Sequence, residues 1–527
     1  MRRRMAVVAA LVLLTASGCT KHKAAPSAAE AKPRAGGVLR VGVTRVGSLD
    51  PAQARTVEQL LVADQLFDSL TAPQPVTLEP QASLAARWEA AAGQKQWDFF
   101  LRPGSAFANG RAITSVDVKY TLERIAKPGT ASPAADLLQP VSGYAAFVAG
   151  TAPELSGVTT PSPEQVRITL DSPVSVLASV LSSPVFGVVP KEAVEASGGQ
   201  AFGDGPVGSG PFRFAGVRES VITLEPVKGR TTYVQRVELR QFDDVAASYR
   251  AFAKGELDWS RVPPDEVAAA ASRYGDRAFR PYVGELFYGF NMKNPKFADG
   301  RFREAVVHAI DRQAIIRAVY GSTVLPMNGL VVAGVAGHVD DACGAACTHD
   351  VGRARALVAQ VYGAGPPPEV NIDYDEDETQ TAVARAIQAG LAEAGIKATL
   401  RVKPLKDYQT FAVSGQQELF RLGWIGAYPS PDAFLEPLFA TGSPSNLTGF
   451  SSAEVDAAFA SARSEADGVK RLGLYQSAEK QVMAQLPVIP IAQFQLHSVA
   501  ASGVHALAPT ALGTFDASVV WLARPSK

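Results

Sequence analysis

VNIDYDEDETQTAVARAIQAGLAEAGIKATLRV, residues 370–402, reads as a strand, a helix and a second strand in succession. Val370–Tyr374 is apolar at alternate positions, as a strand requires. Val383, Ile387 and Leu391 then recur at helical spacing, and the pattern stops at Gly395, a residue suited to ending a helix. Ala398–Val402 is the second strand. Strands alternating with helices in this way predict an α/β lobe.

The same alternation continues on both sides. Leu286–Met292 reads as a strand, and Phe302, Ala305, Val306, Ala309 and Ile310 form a helical stripe. Asp311 suits the cap of a further helix ending at Gly321. Downstream, Leu419–Trp424 reads as a strand, residues 468–486 as a helix, and Val488–Phe494 as a strand despite its proline. In the first half, Val38–Val43 begins the fold as a strand, and Val57, Leu60, Leu61 and Leu66 have helical spacing. Trp97–Arg102 is an aromatic strand closed by Pro103 and Gly104. Thr114 to Asp117 resembles a capping box before Val118, Leu122 and Ile125. Pro- and Gly-rich joints recur at 128–133, 151–163 and 203–211, and no fixed-period repeat is present.

A chain of 527 residues exceeds what one hydrophobic core organises, so two or more lobes are expected. Its 47% hydrophobic and 19% charged content is that of a packed globular protein. With 51 basic and 51 acidic residues and no basic stripe, nucleic acid is excluded as a partner.

The N-terminus carries Arg2, Arg3 and Arg4, an apolar run from Met5 to Leu14, and then Ala16-Ser17-Gly18-Cys19. That is the order of a secretory signal peptide, and its end resembles the bacterial lipobox, in which the cysteine is acylated. Residues 1–18 are therefore expected to be removed, Cys19 lipidated, and residues 19–36, rich in Ala, Lys, Pro and Ser, to form a flexible tether. No later segment offers the ~18 uninterrupted apolar residues of a spanning helix, so membrane contact is expected through the lipid. Cys343 and Cys347 remain, in a tight Cys-Gly-Ala-Ala-Cys loop. Outside the cytoplasm a local disulfide is the first reading. A zinc site with His338 and His349 and a pair of free thiols are the alternatives.

Several blocks resemble one family, the peptide- and nickel-binding class of bacterial ABC-importer solute-binding proteins. Gly36-Gly37-Val38-Leu39-Arg40-Val41-Gly42 followed by Ser48-Leu49-Asp50-Pro51 resembles the family's opening. Leu84–Glu89, Trp97–Gly104, Phe107–Gly110 and Asp117–Arg124 resemble its most recognisable block. Gly208-Ser209-Gly210-Pro211-Phe212, Asn291, Arg303–Arg312, Gly423-Trp424 to Pro431 and Pro487–Pro490 continue the likeness in order. The resemblance implies a two-lobed α/β clamp of the periplasmic-binding-protein kind, with an extra subdomain in the first lobe. By this analogy residues 37–70, 205–285 and 495–527 form the first lobe, 71–204 the extra subdomain and 286–494 the second lobe.

The resemblance also locates a binding cleft. In the family's peptide binders an Asp in a Trp-x-x-Asp-Tyr stretch pairs with the ligand's α-amino group. Here the stretch is Trp424-Ile425-Gly426-Ala427-Tyr428, so Ala427 replaces that carboxylate. A buried ammonium without a counter-charge is costly, which predicts a ligand without a free amine: a blocked peptide, a sugar-like compound or an anion. Arg421 aligns with an Arg that some members point at a ligand carboxylate, and a salt bridge to a neighbouring acid is its alternative role. Arg55 stands where peptide binders often carry an acid. Trp424 and Tyr428 either stack on the ligand or pack in the core. With Val57 and Asn291 these make up the expected ligand-binding set.

Enzymatic readings find no support in the sequence. Ser477 to Lys480 spells Ser-x-x-Lys without the partner motifs of penicillin-interacting enzymes, and Gly203 to Gly208 spells Gly-x-Gly-x-x-Gly without a helix start. His308 sits inside a helical stripe. No catalytic residue, cofactor or metal is expected. The expectation is a monomeric, lipid-anchored, extracytoplasmic receptor that passes a small or peptide-like ligand to ABC permease subunits. Its alternative is an envelope lipoprotein of the same fold that regulates or scaffolds cell-wall or lipoglycan assembly.

Overall fold

The computed structural model describes residues 32–523; the signal segment and Cys19 lie outside the described residues. Val38–Thr44 begins a six-stranded sheet, with Leu39, Val41 and Val43 buried at alternate positions. It pairs in parallel with Arg236–Phe242 along its whole length, and on its other side with Trp259–Arg261. Val57–Leu66 is a helix opened by a reciprocal cap between Thr56 and Gln59. It buries Leu61, Val62 and Leu66 in the same core as the sheet.

The second six-stranded sheet runs in the order 324–326, 488–496, 280–290, 419–425, 370–375, 398–403. Val370–Asp375 pairs in parallel with both its neighbours, as the intervening helix Glu378–Glu393 permits. That helix buries Val383, Ala384, Ile387 and Leu391 completely. Its Gly390 is required by close approach: a Cβ there would lie 2.2 Å from the carbonyl oxygen of Ala309. A four-stranded antiparallel sheet of 85–90, 96–101, 165–169 and 158–162 has its own core around Trp97, Phe99, Leu122 and Ile168.

Two stretches of chain join the large sheets. One is Arg280–Phe290, which follows the first-sheet strand Trp259–Arg261 and lies in the second sheet. The other is Val488–Leu496, which continues past His497 into Ser498–Ala500 and pairs back with Trp259–Arg261. These crossings make a two-lobed α/β clamp, the lobes being joined through two stretches of chain.

Three local differences from the sequence reading have physical reasons. The first crossing strand begins at Arg280 rather than Leu286, because register shifts between Pro281 and Glu285 absorb the proline and Gly284. The segment from Asp311 to Gly321 opens as one helical turn and finishes as a π-turn, Ile316–Tyr320. Leu78, which lies in the 71–204 segment, is buried in the core of the second sheet. Cys343 and Cys347 are joined by a disulfide with Cα atoms 5.6 Å apart, so neither thiol is a metal ligand.

Candidate functional site

Four of the seven expected ligand residues lie on one strand and the turn that follows it. Strand Leu419–Ile425 holds Arg421 and Trp424, and Ala427 and Tyr428 come after it. The strand pairs with Gly284–Phe290 without a register shift, so its side chains alternate cleanly. Arg421 and Trp424 therefore project from opposite faces. Trp424 gives its indole N–H to the carbonyl of Ala433 at 2.6 Å and packs against the second core, which makes it a strut for the helix Asp432–Phe439.

Arg421 sits opposite Tyr288 across the sheet. Its Nη1 lies 3.2 Å from Oδ1 of Asp375, and the two side chains are 24% and 10% exposed. The contact is between charges rather than a hydrogen bond: Nε of Arg421, Oδ1 of Asp375 and the Tyr288 hydroxyl are buried without hydrogen-bond partners among the described residues. Burial pushes the Tyr288 phenol well above its usual range, with neighbouring Tyr408 adding to the effect, so it is a neutral donor. Tyr408 steadies the strand by donating to the Arg421 carbonyl at 2.6 Å. A half-exposed guanidinium with one weakly held counter-charge and a spare donor is suited to a carboxylate, phosphate or sulfonate.

Ala427 is exposed and places no charge in this region. The carboxylate nearest in sequence, Asp432, is already engaged: it is buried and accepts hydrogen bonds from the Tyr428 hydroxyl and the Ser430 hydroxyl. Burial raises the Asp432 carboxyl, and these hydrogen bonds pull it back toward ionisation. Tyr428 in turn packs against both the second-sheet core and the four-stranded-sheet core. It holds the two together.

The first-lobe residues stand at the start of helix Val57–Leu66. Arg55 is exposed, and its guanidinium donates to the carbonyl of Ala131, a left-handed loop residue of the 71–204 segment. Val57 is half-buried against Gly513, where a Cβ would fall 2.5 Å from its Cγ1, so the C-terminal segment closes tightly on the helix start. Asn291 is set apart from the rest. It is buried, and its amide hydrogens go to the carbonyls of Gly415 and Gln417 at 3.0 and 2.9 Å, leaving no donor for a ligand.

Asp375 and Tyr288 were not recognisable from the sequence, since nothing local marks either as a neighbour of Arg421. The other motifs are structural. Ser477 and Lys480 are exposed on the helix Gly468–Ala484. Gly203 packs so that a Cβ would meet the Ser48 hydroxyl at 2.1 Å. His308 is buried with Nδ1 2.6 Å from the Thr348 carbonyl oxygen. Among the described residues no three His, Cys, Asp or Glu side chains are grouped to hold a metal, and no helix is long and apolar enough to cross a membrane.

Comparison with known proteins gives a consistent result. The sequence model for bacterial extracellular solute-binding proteins, family 5 Middle, matches residues 79–446. The chain is 29% identical over 462 residues to the probable deoxycholate-binding periplasmic protein YgiS of Escherichia coli strain K12, covering 84% of this chain and 85% of the relative. It is 26% identical over 462 residues to the periplasmic murein peptide-binding protein MppA of the same organism, covering 85% and 86%. In structure it overlays the unliganded open form of MppA with a TM-score of 0.83 at 22% identity, over 93% of this chain and 98% of the other.

Proposed function

The chain belongs to family 5 of the bacterial extracellular solute-binding proteins, and from that premise we propose that it captures an organic anion without a free amine for an ABC importer. It is a binding protein and not an enzyme, as its family implies. The ligand enters between the lobes and closure presents it to permease subunits. The receptor, a monomer, is held on the extracytoplasmic face of the cell membrane by a lipid on Cys19, with residues 20–36 as its tether. The lobe boundaries set out above apply to this reading, with 71–204 as the extra subdomain.

One observation carries the choice of ligand. Ala427 is exposed where a counter-charge for an ammonium would be needed, and Asp432 is occupied by Tyr428 and Ser430. Arg421, a partly exposed guanidinium with one charge contact to Asp375, instead offers binding energy to an anion. The name of the relative YgiS points the same way, since deoxycholate is a carboxylate on an apolar body with no amine.

A thermal-shift and calorimetric screen tests this directly. Amine-free carboxylates, including deoxycholate and N-acetylated dipeptides, are expected to stabilise the protein more than the corresponding free-amine dipeptides. Free-amine dipeptides winning clearly would refute the ligand class. The anchor is tested separately: Cys19→Ser is expected to release the protein from the membrane fraction, and unchanged membrane association would refute it.

A further inference from the structure

A groove of about 830 Å³ runs between the four-stranded-sheet subdomain and the second lobe. Its volume is in the range of pockets for small organic ligands. Trp88, Gln94 and Trp97 form one wall, and Pro431, Arg471 and Tyr475 the other. Neither Arg421 nor Ala427 lines it, although Pro429 and Ser430, just after the Ala427-Tyr428 turn, do.

The walls are held by ring contacts and by hydrogen bonds across the boundary. Trp88 and Trp97 each stack on Phe99, at centroid distances of 6.5 and 6.1 Å. The two bodies are tied at one end by Ser175, whose backbone N–H donates to the carbonyl of Arg463 at 3.1 Å and whose hydroxyl donates to that of Ala462 at 3.3 Å. The subdomain thereby caps the end of the helix Ala453–Ser464 from across the boundary.

The groove is of mixed polar and apolar character, and three of its polar groups make few or no hydrogen bonds. Gln94 is only 4% exposed and is held in the left-handed region at φ 56°, yet its side-chain amide makes no hydrogen bond among the described residues. Its amide is not among the buried polar atoms that lack a partner, so solvent reaches it from the groove and an occupant can take its place. The Trp88 indole N–H is likewise unbonded. The Arg471 guanidinium makes one hydrogen bond, a 3.3 Å contact from Nη1 to the Glu465 carbonyl, and its charge also acts on the Asp432 and Asp467 carboxylates. Asp467, also in the lining, is committed to the amides of Val469 and Lys470.

We infer that this groove is a second ligand site, for a carboxylate carried on an aromatic or polycyclic body. The flat apolar part lies against Trp88 and Trp97, the carboxylate meets Arg471, and an acceptor on the body takes the Gln94 amide. Because the walls come from different bodies, an occupant bridges the subdomain to the second lobe. The inference does not depend on what fills the cleft.

Photolabelling of the whole protein with 4-benzoylbenzoate, followed by peptide mapping, tests it. Adducts are expected on the segments 88–97 and 466–475, falling about tenfold in Arg471→Gln and in Gln94→Ala and unchanged in Arg421→Gln. Melting temperatures of the variants are measured in parallel, and should one variant fail to fold the other carries the comparison. Adducts confined to the cleft around residues 421–428, an unlabelled groove at saturating probe, or groove labelling indifferent to both variants would each overturn the second site. Cleft labelling and its response to Arg421→Gln report separately on the cleft.

Discussion

Arg421 and Asp375 face each other at 3.2 Å on adjacent parallel strands, in a charge contact that leaves a guanidinium N–H of Arg421 without a partner. The pair lies at the position where the family resemblance puts a ligand-facing arginine. Asp375 is the one acid in ion-pair contact with Arg421, and the absence of a hydrogen bond between them leaves Arg421 able to take a second anion. A fully satisfied ion pair at this place would be structural and would compete with the ligand.

Arg421→Gln is expected to weaken binding of an anionic ligand roughly 10- to 100-fold, because a charge-assisted hydrogen bond in a partly dry site is lost. The same change strips Asp375 of its counter-charge and costs about 1–3 kcal/mol of stability. Calorimetric titration beside a denaturation curve separates the two effects. Affinity unchanged while stability falls would make Arg421 purely structural.

Ala427→Asp is expected to convert preference rather than damage the fold. The position is exposed, so stability changes by less than about 0.5 kcal/mol. The new carboxylate is placed to hold an ammonium, and free-amine dipeptides gain affinity while amine-free anions lose it. Titration with dialanine and its N-acetyl form reads the switch.

How far these features were legible in the sequence depends on whether their causes are local. The strand–helix–strand unit from Val370 to Lys403 was readable because alternation, helical spacing and Gly395 all lie within it. The start of the crossing strand at Arg280 was not, because Pro281 and Gly284 are ordinary breakers that only bulges in the pairing make tolerable. For Arg421 the sequence offered a ligand contact or a salt bridge to a neighbouring acid, and the structure shows an ion pair. That the acid is Asp375 was not legible, because the two meet only through sheet order. Trp424 was open to stacking on a ligand or packing in the core, and its bond to Ala433 and its core contacts show the packing role. Gln94 and Arg471 carry no motif, and their groove exists only where two bodies meet.

Stability is expected to fall as pH rises above the ordinary carboxylate range. Glu285 and Glu479 are fully buried, and both Glu285 oxygens and Oε2 of Glu479 lack hydrogen-bond partners. Burial, reinforced by Glu479, lifts the Glu285 carboxyl well above its usual range, and burial lifts Glu479. Burial with Asp516 and Asp68 nearby pushes Asp64 up to about 7. Unfolded carboxyls ionise near pH ~4, so above that the folded chain holds more protons and loses about 1.4 kcal/mol per pH unit per group until its own carboxyls ionise. Glu285→Gln removes one such group. Its melting temperature relative to the parent is expected to rise between pH 5 and pH 8, and a constant difference would show that Glu285 does not titrate in this window.

His497 sets the acid limb. It is the residue at which the second crossing strand passes between lobes, and burial holds its imidazole down at about 4. The folded state prefers it neutral, so its contribution is present above pH ~6.5 and is lost as pH falls toward 4. His497→Gln is expected to flatten melting temperature between pH 6.5 and 4, and an unchanged acid limb would assign that loss elsewhere.

Native mass spectrometry of the protein purified without refolding tests the central claim most directly. A discrete added mass is expected that dissociates on denaturation, proves to be an organic anion without a free amine, and is lost in Arg421→Gln. A protein that is ligand-free in every preparation and gains no mass from a broad panel of such anions would contradict it.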